Sequence, residues 1–371
     1  MNVCKLLLWS MILFGYSSST FAITFYRKAR LLKASYQGDF STVQKMLEKG
    51  ADPNAIYEDN HTTPLIFASY HGYNGIVKEL LKYPLNYHFC DIKKRNALMY
   101  AIIKKNYIIA NMLLDKANDT VLTQRDFQLN TVLHFALFNQ DQPLSFKILE
   151  RNVDLYAHNI YSATPLSMAV KRNQKKIIEK IISKGYNINY QTPVTYTYQD
   201  YKESINGSKR LLRKTSALTI LMVAAKEKDV TPQTFQDLLV HKPNLDIQDM
   251  SGNTALIHAA QACTLSKVKL LARKGCSLDI ENFSGDTALT VAIKNACTDV
   301  QIYLKKMSEK KNKDKKLSPK NEDQKSNETK STPSEDKKSL SSPRHHRDNS
   351  KGSHSTQSEN FSVHQSACYD F

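Results

Sequence analysis

The sequence predicts an all-α fold: a solenoid of helix-turn-helix-loop units followed by a disordered C-terminal tail. Three observations lead there. A leucine-centred motif returns at a nearly constant step, a second apolar pair follows most copies about fifteen residues on, and the composition changes abruptly after Met307.

The motif has the form T-x-L-x-x-A. Its leucine, or that of a close relative, falls at Leu65, Leu98, Leu133, Leu166, Leu221, Leu256 and Leu289. The steps are 33, 35, 33, 55, 35 and 33 residues. The long step is one ordinary interval plus a 22-residue insertion, and a weaker copy sits at Leu31. Self-similarity at such a period is the mark of stacked supersecondary units. About eight of them cover residues 23–307, with the insertion at 191–213.

Each unit has its own chemistry. Thr63-Pro64-Leu65 and Thr164-Pro165-Leu166 start a helix, because proline is tolerated in the first turn, where its missing N–H is no loss. The small Ala68, Ala101, Ala136, Ala169 and Ala259 let two helices approach closely. Gly38 and Gly72 lie between the two helices of a unit, where positive φ is often needed. Leu80-Leu81, Leu113-Leu114, Ile148-Leu149, Ile181-Ile182, Leu238-Leu239 and Leu270-Leu271 form the second apolar pair. Turns such as Gly50-Ala51-Asp52-Pro53-Asn54 and Gly275-Cys276-Ser277-Leu278-Asp279 close the unit. A single unit cannot bury its apolar face, so stability comes from stacking.

This set of residues is similar to the ankyrin repeat over roughly residues 27–307. The resemblance implies a non-enzymatic scaffold that binds another protein through its loop tips and first helices. Tip positions are Asn60, His61, Lys93, Arg95, Phe127, Tyr161, Met250 and Phe283. First-helix positions five after the motif leucine are Tyr70, Ile103, Phe138, Lys171, Lys226, Gln261 and Lys294, with Lys104 and Arg172 beside them. The resulting face is aromatic toward the N-terminus and basic toward the C-terminus. The partner-binding candidates are therefore Lys93, Arg95, Lys104, Phe138, Tyr161, Lys171, Arg172, Lys226 and Lys294, and an acidic segment of a protein is the expected partner. The chain departs from the repeat pattern most at 95–150, where Lys105 replaces the turn glycine and Pro143 enters a second helix.

The net charge is +17, from 52 Lys+Arg against 35 Asp+Glu. Only a small part of it belongs to the tail, which carries 13 Lys/Arg and 10 Asp/Glu from Ser308 onward. Residues 308–371 are too poor in aliphatic side chains to offset the entropy of ordering, so this segment should be disordered. The charge raises a second function class, a basic nucleic-acid-binding or nuclear-targeted protein. No nucleic-acid module accompanies it, which argues against that class.

Residues 1–22 read as a secretory signal: Lys5, the apolar run Leu6 to Tyr16, and Thr20-Phe21-Ala22 as the cleavage site. The rival reading is an uncleaved anchor running on to Phe25; the short apolar core favours cleavage. With the repeats and tail, the signal resembles bacterial ankyrin proteins that act outside the cell, including inside host cells. The expected product is an exported monomer, secreted or periplasmic.

Of the six cysteines, Cys4 leaves with the signal, and the odd remainder makes a poor disulfide framework. Cys263 and Cys297 occupy nearly equivalent places in adjacent units. Stacked units sit roughly 10 Å apart, beyond the roughly 7 Å Cα limit of a bridge. Buried free thiols are the expectation, although a one-residue offset in register leaves a bridge open. No hydrolase elbow, phosphate loop or metalloprotease motif is present, and His134 and His258 read as core residues rather than ligands. No cofactor is expected.

Overall fold

The motif threonine starts helices because its side-chain oxygen accepts the N–H three residues on, one of the orphan donors of a first turn. Thr63 does this for Ile66, Thr164 for Ser167, Thr219 for Met222, Thr254 for Ile257 and Thr287 for Thr290. Asn96 substitutes in the third repeat, accepting from Met99. The computed structural model describes residues 18–192 and 217–317, and these form eight helix pairs.

In chain order the pairs are α1 (Ser18–Gln37) with α2 (Phe40–Glu48), α3 (Pro64–His71) with α4 (Asn74–Leu80), and α5 (Ala97–Ile103) with α6 (Tyr107–Lys116). A short α7 (Asp119–Thr123) follows. Next come α8 (Val132–Phe138) with α9 (Gln142–Leu149), and α10 (Pro165–Lys171) with α11 (Lys175–Ser183). The last three pairs are α12 (Ile220–Lys226) with α13 (Pro232–Val240), α14 (Ala255–Gln261) with α15 (Leu265–Arg273), and α16 (Ala288–Lys294) with α17 (Thr298–Leu317). First helices pack on first helices along the array, and second on second except between α11 and α13. Among the described residues there is no strand, only two isolated bridges.

The core follows the repeat. The motif leucines and alanines are buried, from Leu65 and Ala68 to Leu256 and Ala259. The divergent 95–150 region is packed as well as the rest, with Ile102, Ile109, Val132 and Ile148 all inaccessible. Pro143 enters α9 at its first turn behind the N-cap Asp141, so it costs no hydrogen bond. The turn inside each pair demands a left-handed residue. Gly38 and Gly72 take it at φ of 80° and 81°, while Lys105, Gln140, Asn173, Cys263 and Ala296 take it without glycine's freedom.

That turn has a fixed hydrogen-bond logic, with one exception. The carbonyls of Ala34, Ala101, Ala136, Ala169, Ala259 and Ala292 each accept the backbone N–H five residues on, and Ala68 accepts from both Gly72 and Tyr73. In the sixth repeat the helix ends at Lys226 with Glu227 extended, and the turn to α13 is longer. There the Nζ of Lys267, from the next repeat, donates to the Ala224 carbonyl at 2.9 Å and also to that of Glu227. Lys267 is only 1% exposed, in a register position that is aliphatic at Ile76, Ile109, Leu144, Ile177 and Val300. Burial lowers its pKa, and the charges of Glu227 and Asp229 offset part of that.

One expectation is overturned. Cys263 and Cys297 are not free thiols but a disulfide, with Cα atoms 5.3 Å apart. The 10 Å spacing applies to helix axes. At the turn, the left-handed residue of one repeat lies directly under the first side chain of the next. The same closeness would put a Cβ on Gly38 2.7 Å from the Tyr73 ring. Cys90 and Cys276 are the free cysteines of the described residues.

Both ends of the array differ from a plain repeat. Helix α1 begins at Ser18 and runs through Thr20-Phe21-Ala22, exposing Phe21, Ile23, Phe25 and Tyr26. Helix α17 continues ten residues past Met307 to Leu317, and Lys311 pairs with Asp279 at 2.7 Å. Residues 1–17, 193–216 and 318–371, which include most of the segment expected to be a signal, most of the insertion and most of the tail, lie outside the described residues.

Candidate partner-binding face

Between pairs the chain makes short fingers, and one side chain organises each. Asp91, Asp126, Asn159, Asp249 and Asn282 stand seven residues before their motif leucines. The Oδ1 of each accepts the N–H groups two and four residues on. The third residue after each takes the left-handed conformation: Lys94, Leu129, Ser162, Gly252 and Gly285. Neighbouring fingers are strung together by backbone. The N–H of Ile92 donates to Asn60, Phe127 to Lys93, Ile160 to Gln128 and Phe283 to Ser251, at 2.9–3.1 Å. The apolar tips Ile92, Phe127, Tyr161, Met250 and Phe283 thus stand exposed in a row, Phe283 at 77%. The insertion leaves this row between Thr192, whose N–H donates to Leu218, and Ala217.

The first helices form the adjoining surface. An aromatic run crosses its N-terminal end, from Tyr36 to Phe67 and His71, then Tyr70 and Tyr100, with centroids 4.9–5.4 Å apart. The Lys104 ammonium sits 4.1 Å over the Tyr70 ring, and burial together with that charge lowers the His71 pKa. Phe138 is 61% exposed and carries the Arg172 guanidinium 5.0 Å above it.

The structure divides the sequence-derived cations into two groups. Arg95 is engaged in the fold: its Nε is 3.1 Å from the buried Asp126, and its guanidinium lies near the Phe135 and Tyr100 rings. Lys171 pairs with Glu227 at 2.8 Å and Lys294 with Asp286 at 2.6 Å. Lys104, Arg172 and Lys226 have no acidic partner among the described residues, nor does Lys93 at its fingertip. The basic stripe is therefore Lys104, Arg172 and Lys226, with Phe138 between the first two in repeat order. It stops at the sixth repeat, because Asp286 neutralises Lys294 in the eighth, and Glu227 takes Lys171 out of it in the fifth.

The two histidines of the repeat motifs serve the core. His134 is 1% exposed; its Nδ1 accepts from the N–H and hydroxyl of Thr131, and its Nε2 donates to the Ala163 carbonyl at 3.0 Å. The network fixes that tautomer, and burial drives the pKa down to about 4. His258 meets Asp249 at 2.9 Å and thereby orients a finger. No group of His, Cys, Asp or Glu among the described residues could hold a metal ion.

Comparison with known proteins settles the family. A profile of three ankyrin repeats matches residues 31–126 and 221–315, just over half of the chain. The chain belongs to the ankyrin-repeat family. Repeats four and five lie between the matched segments, yet their helices and fingers keep the same construction. A putative ankyrin repeat protein of Rickettsia bellii is 33% identical over 111 residues, 30% of this chain and 42% of that one. A fowlpox virus putative ankyrin repeat protein is 27% identical over 60% of this chain and 67% of its own length. An L-asparaginase of Dirofilaria immitis is 25% identical over 40% of this chain, but over only 30% of the enzyme. The chain thus spans less than half the length of the first and last of these. The human ASB11 ankyrin repeat domain superposes with a TM-score of 0.50 at 20% identity, covering 66% of this chain and 98% of that domain. The ankyrin-repeat fold is a protein-binding scaffold.

Proposed function

We propose that this is an exported, non-enzymatic scaffold that binds, as a monomer, an acidic segment of a protein outside the producing cell. The observation that carries the reading is the row Lys104, Phe138, Arg172 and Lys226. Its three cations have no acidic partner among the described residues, and an exposed phenylalanine stands among them. Charge complementarity steers such an encounter and fixes register, while the aromatic ring supplies buried area. Export is supported by the signal-like N-terminus and by the Cys263–Cys297 bridge, since disulfides persist in oxidising compartments.

The test is affinity capture by residues 23–317 and by a triple charge reversal, Lys104→Glu, Arg172→Glu and Lys226→Glu. Because these cations make no ion pair in the fold, the variant should stay folded and lose only about 1–2 kcal/mol with the ring contacts of Lys104 and Arg172, which far-UV circular dichroism and a melting curve check. Partners captured by the parent should be lost by the variant. Equal capture by both refutes the acidic-segment reading, and salt-steep DNA or RNA binding replaces it with the nucleic-acid class. Trp9 is the only tryptophan, so the exported protein should show no indole emission if the signal is removed.

A further inference from the structure

The eighth repeat is fastened to the seventh in a way that no other described repeat is. Elsewhere the clasp at the turn is non-covalent. The Tyr73 ring lies over Gly38, and the Asn106 side chain lies over Gly72 while donating to the Ser69 carbonyl at 2.8 Å. Asn139 likewise donates to the Ile102 carbonyl. At the last joint the left-handed Cys263 and the first residue of the next turn, Cys297, make a covalent bond instead.

The repeat so fastened is the one that packs on a single side. Helices α16 and α17 contribute Ala288, Ala292, Val300 and Leu304 to the core, while Ile293 and Ile302 are exposed. The polar ties to the seventh repeat lie on its rim: Asn282 donates to the Asn253 side chain, Phe283 to the Ser251 carbonyl, Gln248 to the Glu281 carbonyl and Asn295 to the Gln261 carbonyl, and Lys311 pairs with Asp279. Lys294 turns to Asp286 in its own repeat. A terminal repeat with half an interface is the first part of a one-dimensional array to open.

The two half-cystines differ in exposure. Cys263 is exposed and Cys297 is 5% exposed. A dithiol reductant reaches the outer sulfur. Its thiolate attacks the Cys263 sulfur, the S–S bond breaks, and Cys297 departs as a thiolate that takes up a proton. The second thiol of the reductant then resolves the mixed disulfide. The protein gains two thiols and the reductant leaves as its own disulfide.

We propose that the Cys263–Cys297 bridge is a redox latch on the terminal cap. Closed, it holds α16 and α17 against the array. Opened by a dithiol, it lets residues 282–311 unfold locally while the remaining repeats stay folded. The inference concerns the state of the scaffold, not its partner, and stands whether or not the first-helix row binds an acidic segment. Its consequence is a protein whose C-terminal fingertip, Phe283, and last basic helix are presented differently on the two sides of a redox boundary.

Amide hydrogen exchange on the full chain tests this, comparing the oxidised protein, the same protein in dithiothreitol, and Cys297→Ser without reductant. The bridge spans 34 residues. Removing the loop-closure constraint of such a span should cut protection in α16 and α17 by roughly 10²–10³-fold. Protection in α3 to α11 should not change, and Cys297→Ser should match the reduced protein. Unchanged protection in α16 and α17 on reduction overturns the latch. So does a uniform fall across the whole array, or alkylation of both cysteines in the unreduced protein. Reduction of the parent keeps the test valid if the variant fails to fold.

Discussion

Acid should loosen the array at one identifiable place, the His134 imidazole. Its Nδ1 faces two donors on Thr131, so a proton added there meets an N–H and a hydroxyl instead of an acceptor. The folded pKa is about 4 against an ordinary value of 6.5. Between these values the unfolded chain binds a proton that the folded chain refuses, so stability falls as pH drops below 6.5 and is fully present above it. At 1.36 kcal/mol per pH unit, the loss by pH 4 is about 3 kcal/mol. The group is almost wholly buried, so solvent screening removes little of this. The control is His134→Gln, which should be about 2 kcal/mol less stable near pH 7.5 through its lost hydrogen bonds. As pH falls to about 4 the parent should lose that advantage. Urea unfolding followed by far-UV circular dichroism gives the difference at each pH, and carboxylates titrating in both proteins cancel. A gap between the two proteins that stays constant over the whole range would show the reasoning to be wrong.

Other perturbations have equally definite outcomes. Lys267→Met leaves the Ala224 and Glu227 carbonyls without their donor and should cost about 2–3 kcal/mol, net of the ammonium desolvation it relieves, measured by urea unfolding. Because the folded Lys267 pKa is lowered, the unfolded chain holds more protons as pH approaches 10.5, so the parent should gain on the variant as pH rises. Gly252→Ala places a Cβ 2.7 Å from the Phe283 nitrogen at a φ of 77°, and should lower stability by about 2 kcal/mol with loss of the neighbouring fingertip contact. Arg95→Ala removes the partner of the buried Asp126 and should cost about 2 kcal/mol in the same assay, whereas Lys104→Ala, which gives up only a ring contact, should cost less.

The helical array was legible because its signals are periodic: Thr-Pro starts, aliphatic pairs and alanines recur at the step that the stacking imposes. The fingers leave a periodic trace too, since Asp91, Asp126, Asn159, Asp249 and Asn282 recur at a fixed distance before the motif leucine. The disulfide was misjudged by taking the helix spacing for the turn spacing. Lys267 could not have been anticipated, because its role depends on a longer turn one repeat away. The candidate face was half legible. Sequence placed Phe138, Arg172 and Lys226 on first helices, but only distances show that Arg95, Lys171 and Lys294 already have acidic neighbours.

The joint between the fifth and sixth repeats behaves differently from the rest. The first helices α10 and α12 pack there, but α11 and α13 do not approach as the other second helices do. What spans that side is polar: Lys171 to Glu227, Lys175 to Asp237 at 3.5 Å, and Asn173 holding the Asp229 carbonyl and the Thr231 N–H. In the statistical mechanics of a linear lattice this is a weaker nearest-neighbour bond, apolar on the first-helix side and polar on the other, so only part of its strength depends on ionic strength. The array should therefore behave as two cooperative blocks whose coupling weakens modestly as salt rises, since the ion pairs at the joint are largely exposed. In dilute buffer they unfold as one, and concentrated salt should draw their two transitions apart at the insertion.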